Sequence, residues 1–359
     1  MKALVTGASG FIGRRLVEAL RQSGDSVHTL VRSTHGRGCQ ETPGVTHFIG
    51  DVTAPESLTE AAKGCDVGFH CVHGGTNLAE AARINVRGTL NVLMAARNAR
   101  VGRVVHLSTW RVHGRRLPSL VHEALPLVTR GDWYDVSKAE AERAAIEFAA
   151  RHGIELVVLR PTLVYGPGSG PWVEALVDRL KYEQLCLIGG GTGVANVVSV
   201  DDLVEAMQLA AQKPGAAGQA FLISGASPPP LWRDYIDALC SLLGRELPSS
   251  VPGWAARTLA AAYQWRYRFT RRPPRLTAVD VGLFWEHCVV QIEKAETLLG
   301  YAPRVDLAMG MRAVGEFLEA EGRVGTYEKT IALADQARAA QRLHLGPQGH
   351  AARSAQQQV

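Results

Sequence analysis

Lys2-Ala3-Leu4-Val5-Thr6-Gly7-Ala8-Ser9-Gly10-Phe11-Ile12-Gly13 opens the chain with a short apolar strand, three glycines at spacing three and the start of a helix. A tight turn requires the first glycine. A bare backbone at the second lets a pyrophosphate approach, and the third allows close helix–strand packing. The helix start offers free N–H groups and the positive end of its dipole to phosphate. Spacing alone is weak evidence in a chain with 37 glycines. The decisive feature is its place between strand and helix, so Gly7, Ser9, Gly10, Phe11, Ile12 and Gly13 are read as a dinucleotide cradle.

Outward from this turn, β-branched runs alternate with helical patterns. Strands are predicted at 2–6, 26–31, 46–49, 67–71, 103–108, 155–160 and 220–224, and helices at 11–23, 57–62, 79–97 and 137–152. That alternation predicts an α/β fold, a Rossmann-type doubly wound parallel sheet with the functional loops at the carboxyl ends of the strands. After Pro161, the prolines at 167, 171 and 228–230 and the glycines at 189–191 break the chain into shorter pieces, the mark of a smaller, interleaved C-terminal substrate domain. The expected division gives residues 1–166 to the dinucleotide domain, with 196–225 returning to it. Residues 167–195 and 226–322 form the substrate region. Residues 323–359, rich in Ala, Gln and Arg, form a tail that fades from helix into disorder.

The 359 residues, 46% apolar and 20% charged, exclude wholesale disorder and fibrous repeats. No apolar run reaches the length of a spanning helix. The first residues lack the longer apolar stretch of a secretion signal, and the six cysteines are scattered singly, so a cytoplasmic protein with reduced thiols is expected. A net charge of +5 is too mild for nucleic acid, and no histidine stands at metal-ligand spacing, so no metal is expected.

The second strand ends Thr29-Leu30-Val31-Arg32-Ser33, without the acid that holds an NAD ribose. Arg32 suits a 2′-phosphate, which favours NADP(H) over NAD. Tyr134 and Lys138 stand four apart, on one face of a helix. A free phenol titrates near 10, and a neighbouring cation is expected to pull that value down far enough for acid–base work.

With Ser108-Thr109-Trp110-Arg111-Val112-His113-Gly114 ahead of that pair, the chain resembles the extended short-chain dehydrogenase/reductase family over residues 1 to about 320. The resemblance also rests on Asp51-Val52, His70 with His73-Gly74, Asn85-Val86-Arg87-Gly88-Thr89, Arg160-Pro161-Thr162-Leu163-Val164-Tyr165-Gly166-Pro167-Gly168 and Val200-Asp201-Asp202-Leu203. It implies that Tyr134 is the general acid/base and that Lys138 tunes it and holds the nicotinamide ribose. Thr109 would bond the substrate oxygen, with Ser108 as its structural neighbour, and Asn85 would belong to a cofactor-side loop. Asp51 and Val52 would flank the adenine, and His73, Pro161 and Leu163 would line the cofactor. Two departures are His113, where the family commonly has Tyr, and Cys71-Val72-His73, where it has small residues. The family often pairs as a homodimer through the helices bearing residues 85–97 and 137–152.

Within that family, Ala195 occupies the position where sugar-nucleotide enzymes carry an Arg for the diphosphate. The segments Arg275-Leu276-Thr277, Phe284-Trp285 and Ile292 to Pro303 are similar to the 3β-hydroxysteroid dehydrogenase-like branch. The expected activity is interconversion of a secondary alcohol and a ketone on a small or hydrophobic molecule. The alternatives are a sugar-nucleotide epimerase, dehydratase or ketoreductase, and a catalytically silent NADP sensor or scaffold. Residues 254–275, aromatic and basic with Trp254, Thr258, Ala261 and Trp265 on one helical face, are open to three readings: a lid, a contact with a membrane or carrier protein, or plain packing of aromatics into the core.

Overall fold

A computed structural model describes residues 1–33, 42–270 and 276–324. Residues 271–275 of the basic stretch and, from 325 onward, the tail expected at 323–359 lie outside the described residues. Seven strands form one parallel sheet: β1 (Lys2–Thr6), β2 (Ser26–Val31), β3 (Val45–Ile49), β4 (Val67–His70), β5 (Arg103–Leu107), β6 (Glu155–Pro161) and β7 (Ala220–Ile223). Their spatial order is β7-β6-β5-β4-β1-β2-β3, so the winding direction reverses between β1 and β4. In an open α/β sheet that reversal opens the crevice where ligands bind.

Both faces of the sheet are covered, and the strands are correspondingly apolar throughout. Ala3, Val5, Val27, Val31 and Phe69 turn to one face, where Leu16 and Leu20 of α1 (Phe11–Gln22) pack with the later segment 200–210. Leu4, Leu30 and Val104 turn to the other, against α2 (Glu56–Ala62), α3 (Gly88–Ala99) and α4 (Trp133–His152). The helix expected over 79–97 is three pieces: a short turn at Leu78–Ala81, a π-helical turn at Ala82–Arg87, and α3. The wide turn is compatible with the same apolar periodicity, so the sequence reads as one helix. The helix expected from Ser137 starts at Trp133, capped by the Asp132 side chain on the Tyr134 N–H at 2.9 Å.

Gly13 shows why the third glycine is required. A Cβ there would lie 2.1 Å from the Gly7 carbonyl oxygen, which is incompatible with any side chain.

Two compact units divide the chain. The first takes residues 1–172, 194–230 and 286–306. In it, α5 (Val200–Gln212) starts on a Ser199 cap, and the Val200-Asp201-Asp202-Leu203 motif is structural. Asp201 pairs with Arg15 of α1, and Asp202, 2% exposed, accepts the Arg304 N–H at 2.9 Å. Tyr301 is fully buried and donates its hydroxyl to the Ser224 carbonyl at 2.8 Å. Among the described residues, the second unit takes 173–193, 231–270, 276–285 and 307–324. It is mostly helical, with one short parallel pairing of 187–188 and 250–251, around a buried cluster of Trp232, Tyr235 and Phe284, with the Trp232 indole donating to the Leu283 carbonyl at 3.1 Å. No helix among the described residues is long and apolar enough to cross a membrane.

Candidate active site

Parallel strands end on one edge, and there the fold gathers the residues singled out from the sequence. Gly7 to Gly13 follow β1, Arg32 follows β2, Asp51 and Val52 follow β3, His73 follows β4, and Ser108 and Thr109 follow β5. Pro161 closes β6. Leu163 begins the short strand 163–165, which pairs with 197–199. Gly7 has a positive φ of 78°, and a Cβ there would meet the Cys71 backbone at 2.9 Å, so the turn and the end of β4 are in direct contact.

The turn fits a dinucleotide. Helix α1 starts at Gly10 with no side-chain cap and no acid in its first turn, so no side chain of its own competes for its free N–H groups. Ser9 and Gly10 are exposed, Phe11 and Ile12 half-buried. Asp51 accepts from the Thr53 N–H and hydroxyl, both at 2.8 Å; these bonds hold its carboxyl below the usual range, helped by the Arg32 charge nearby. Val52 is buried, and its carbonyl accepts from Asn91 at 2.8 Å.

The reactive face is built on a stripe of α4. Tyr134, Lys138 and Glu142 recur at i, i+4 and i+8, and each meets one group at the end of β5. The Tyr134 phenol lies near enough to Thr109 for that side chain to favour its ionised form. The Lys138 ammonium donates to the Leu107 carbonyl at 2.7 Å. Glu142, with no exposed surface, accepts the Ser108 hydroxyl at 2.6 Å. The same carboxylate accepts Arg160 of β6 at 3.0 Å, and Arg160 in turn reaches His113 at 3.2 Å and the Glu123 carbonyl at 3.0 Å. His113 thus serves as an acceptor for Arg160, and burial together with the guanidinium keeps its pKa low.

A second clamp fixes the other end of the stripe. Asp135, 2% exposed, accepts Arg111 at 3.0 Å and Arg115 at 3.2 Å. Arg111 lies two residues after Thr109 and Asp135 one after Tyr134, so the pair ties the segment bearing Thr109 to the start of α4. Glu286 faces the same cluster, and burial lifts its carboxyl to about 7 against the pull of Arg111 and Arg115.

Asn85 lies in the π-helical turn, within the stretch expected to be helical, and not in the cofactor-side loop that the resemblance implied. It is 1% exposed, its oxygen accepts the Gly74 N–H at 3.0 Å and its amide donates to the Ser137 hydroxyl at 3.0 Å. Ser137 passes a hydrogen bond to the Tyr134 carbonyl at 3.1 Å. His73 is exposed, with its ring edge-on to Tyr134 at 6.2 Å between centroids.

The phenol itself departs from expectation. Burial raises the Tyr134 pKa, and Thr109 opposes that. The lysine, fully enclosed, is itself lowered to about 8 by burial, with Glu142 opposing. Ser137, Glu142, Arg160 and the Arg111–Asp135 pair were not found from the sequence. Glu142 had a readable signal, one turn beyond Lys138 on the same face. Among the described residues no His, Cys, Asp and Glu cluster could hold a metal ion.

The NAD dependent epimerase/dehydratase family model matches residues 3–224. The chain belongs to this family. Members use NAD(P), and the chain is an enzyme of NAD(P)-dependent oxidoreduction acting on a CH–OH group. It is 32% identical to a 4-hydroxy-2-methyl-3-oxo-4-farnesyl-3,4-dihydroquinoline-1-oxide ketoreductase of Stigmatella aurantiaca, over 88% of this chain and 96% of that one. It is 28% identical to a 3-beta-hydroxysteroid dehydrogenase of Mycolicibacterium neoaurum, over 84% and 87%. Among solved structures it is similar to MoeE5 in complex with UDP-glucuronic acid and NAD, at 28% identity and a TM-score of 0.71, covering 89% of this chain and 100% of that one.

The buried carboxylate gives a stability test. Glu142→Ala leaves Arg160 as a buried charge without its carboxylate and Ser108 without its acceptor. Urea denaturation is expected to show a loss of about 3–5 kcal/mol, and a loss below about 1 kcal/mol would contradict the network described.

Proposed function

We propose that the enzyme is an NADP(H)-dependent reductase that interconverts a ketone and a secondary alcohol on a hydrophobic substrate, with Tyr134 as the general acid/base. The observation that carries the reading is the approach of Thr109 to the Tyr134 phenol, with Lys138 one turn further along the same helix face. A carbonyl oxygen placed between the two hydroxyls would be held by Thr109 and protonated by Tyr134. Bound NAD(P)H supplies the hydride. The raised phenol pKa keeps the proton on Tyr134 at neutral pH, the state that reduction requires. Lys138 keeps a positive charge at the Leu107 carbonyl, one helical turn from Tyr134, where it favours the phenolate left after transfer. Asn85 and Ser137 hold the first turn of α4 in place.

For the substrate class, the named activities of the ketoreductase and the steroid dehydrogenase support a hydrophobic ketone. So does Ala195, fully buried where a sugar-nucleotide enzyme would offer a guanidinium. The likeness to MoeE5 favours a second reading, a sugar-nucleotide epimerase or dehydratase. A silent sensor would need only the glycine turn and a 2′-phosphate contact, and the complete Thr109, Tyr134 and Lys138 set argues against it. For the cofactor, Arg32, exposed at the end of β2, is the group proposed to grip a 2′-phosphate.

Loss of reduced-nicotinamide absorbance with steroid ketones or β-keto acyl compounds supports the reductase, whereas conversion of a sugar nucleotide, followed by chromatography of the product, with no net loss of that absorbance supports the epimerase or dehydratase. With a turned-over ketone, Tyr134→Phe is expected to lower kcat by about 100-fold to 10,000-fold with the Kd for NADPH little changed; unchanged turnover would refute the assignment. Arg32→Ala should weaken NADPH much more than NADH, and equal losses in a titration would remove Arg32 from the 2′-phosphate. For pH, Lys138 is an ammonium below about 8 and a neutral amine above it. The rate of carbonyl reduction should therefore fall as pH rises through about 8. A profile that stays flat to about pH 10, where a free lysine titrates, would show that the charge is not needed.

A further inference from the structure

The helix Gly253–Thr270 turns its small residues inward and its large ones outward. Ala256 and Ala260 are buried, at 0% and 2% exposure, whereas Trp254 is 76% exposed, Trp265 65% and Phe269 71%. This excludes the reading in which these aromatics fill the core. At about 100° per residue the three fall within about 60° of one another, a single aromatic ridge. Trp265 and Phe269 rest against each other at 4.9 Å between ring centroids. Arg257 and Arg266, both exposed, stand on either flank of the ridge, and Arg266 lies over the Tyr263 ring at 5.3 Å.

Charge sharpens the pattern. Between Glu246 and Asp280 the sequence has six arginines, at 257, 266, 268, 271, 272 and 275, and no acidic residue. The whole chain carries only +5, so the rest of it is net negative and the positive charge is concentrated here. A contiguous exposed aromatic ridge is costly in water unless something covers it. Tryptophan and phenylalanine with flanking arginines suit the boundary between lipid headgroups and acyl chains, where the rings leave water and the guanidinium groups meet phosphate. The helix is not long and apolar enough to cross a membrane, which leaves a position in the interface plane.

We propose that the helix Gly253–Thr270 is an interfacial anchor that docks this protein on an anionic phospholipid bilayer. The proposal does not depend on the substrate or on the catalytic role of Tyr134. Its test is cosedimentation of the full chain with vesicles of phosphatidylcholine alone and of phosphatidylcholine with phosphatidylglycerol, at low and high salt. The expected result is binding to the anionic vesicles, weakened by salt, with little binding to the neutral ones. The exposed triple variant Trp254→Ser, Trp265→Ser, Phe269→Ser, checked by circular dichroism for an intact fold, should lower the partition coefficient at least tenfold. Arg257→Glu with Arg266→Glu should lower it by about fivefold or more for each site. Three results would overturn the proposal. One is no binding to anionic vesicles at low salt, as an acidic protein partner would give. Another is a triple variant that binds as tightly as the parent. The third is a ridge covered by a second copy, seen as self-association in sedimentation velocity that the triple variant abolishes.

Discussion

One carboxylate with no exposed surface holds the candidate site together. Glu142 accepts from Ser108 at the end of β5 and from Arg160 in β6. Without the carboxylate, Arg160 would be a charge sealed inside the protein, and such a charge is tolerated only with a partner. Satisfying it draws α4 onto the ends of β5 and β6 along one stripe. Lys138 is thereby carried under the Leu107 carbonyl, and Tyr134, a further turn back, is carried to Thr109. The catalytic geometry is therefore a consequence of how a buried ion pair is neutralised, and a change at residue 142 acts on the phenol without touching it.

Several sequence motifs prove to have more to do with this frame than with chemistry. Asp202 ties α5 to the backbone at Arg304, and Tyr301 plugs into the Ser224 carbonyl, so the segment 286–306 is bound to the sheet it follows by more than 50 residues. Gly13 has the same character, since its missing Cβ is what lets α1 lie against the turn. The segment 286–306 is thus fastened to the segment 194–230 by two buried polar groups, each with a defined backbone partner.

The strands, the glycine turn and the Tyr134–Lys138 spacing were legible because each is a local pattern: apolar runs, a turn that only glycine satisfies, a helical period. What escaped was pairing at long range. Nothing local to Arg160 announces Glu142, and nothing local to Arg111 announces Asp135. The π-helical turn at Asn85 escaped for another reason, since one extra residue in a turn leaves the surrounding periodicity intact. For 253–270 the period gave the face correctly but not its direction. A moment has an orientation only relative to a core, and the core is not in the segment. Only the burial of Ala256 and Ala260 decides that the aromatics point outward.

The electrostatics of the site follow from who holds the positive charge. Under Lys138 lie two buried imidazoles on neighbouring strands, His70 and His106, with ring centroids 5.4 Å apart. Thr89 donates to the Asn85 carbonyl, so it accepts from Nε2 of His70, and Nδ1 of His70 then accepts from Thr6 at 2.7 Å. That arrangement defines a single neutral tautomer. His106 has neither nitrogen bonded. Burial and the Lys138 charge hold both rings far below their usual pKa, so three groups that could carry a proton share one cation. The ammonium keeps it because Lys138 alone has a carbonyl and a nearby carboxylate to face. An apolar residue at 106 would leave that cation in place, whereas a permanent cation there would compete with Lys138 and remove the charge from beside the phenol.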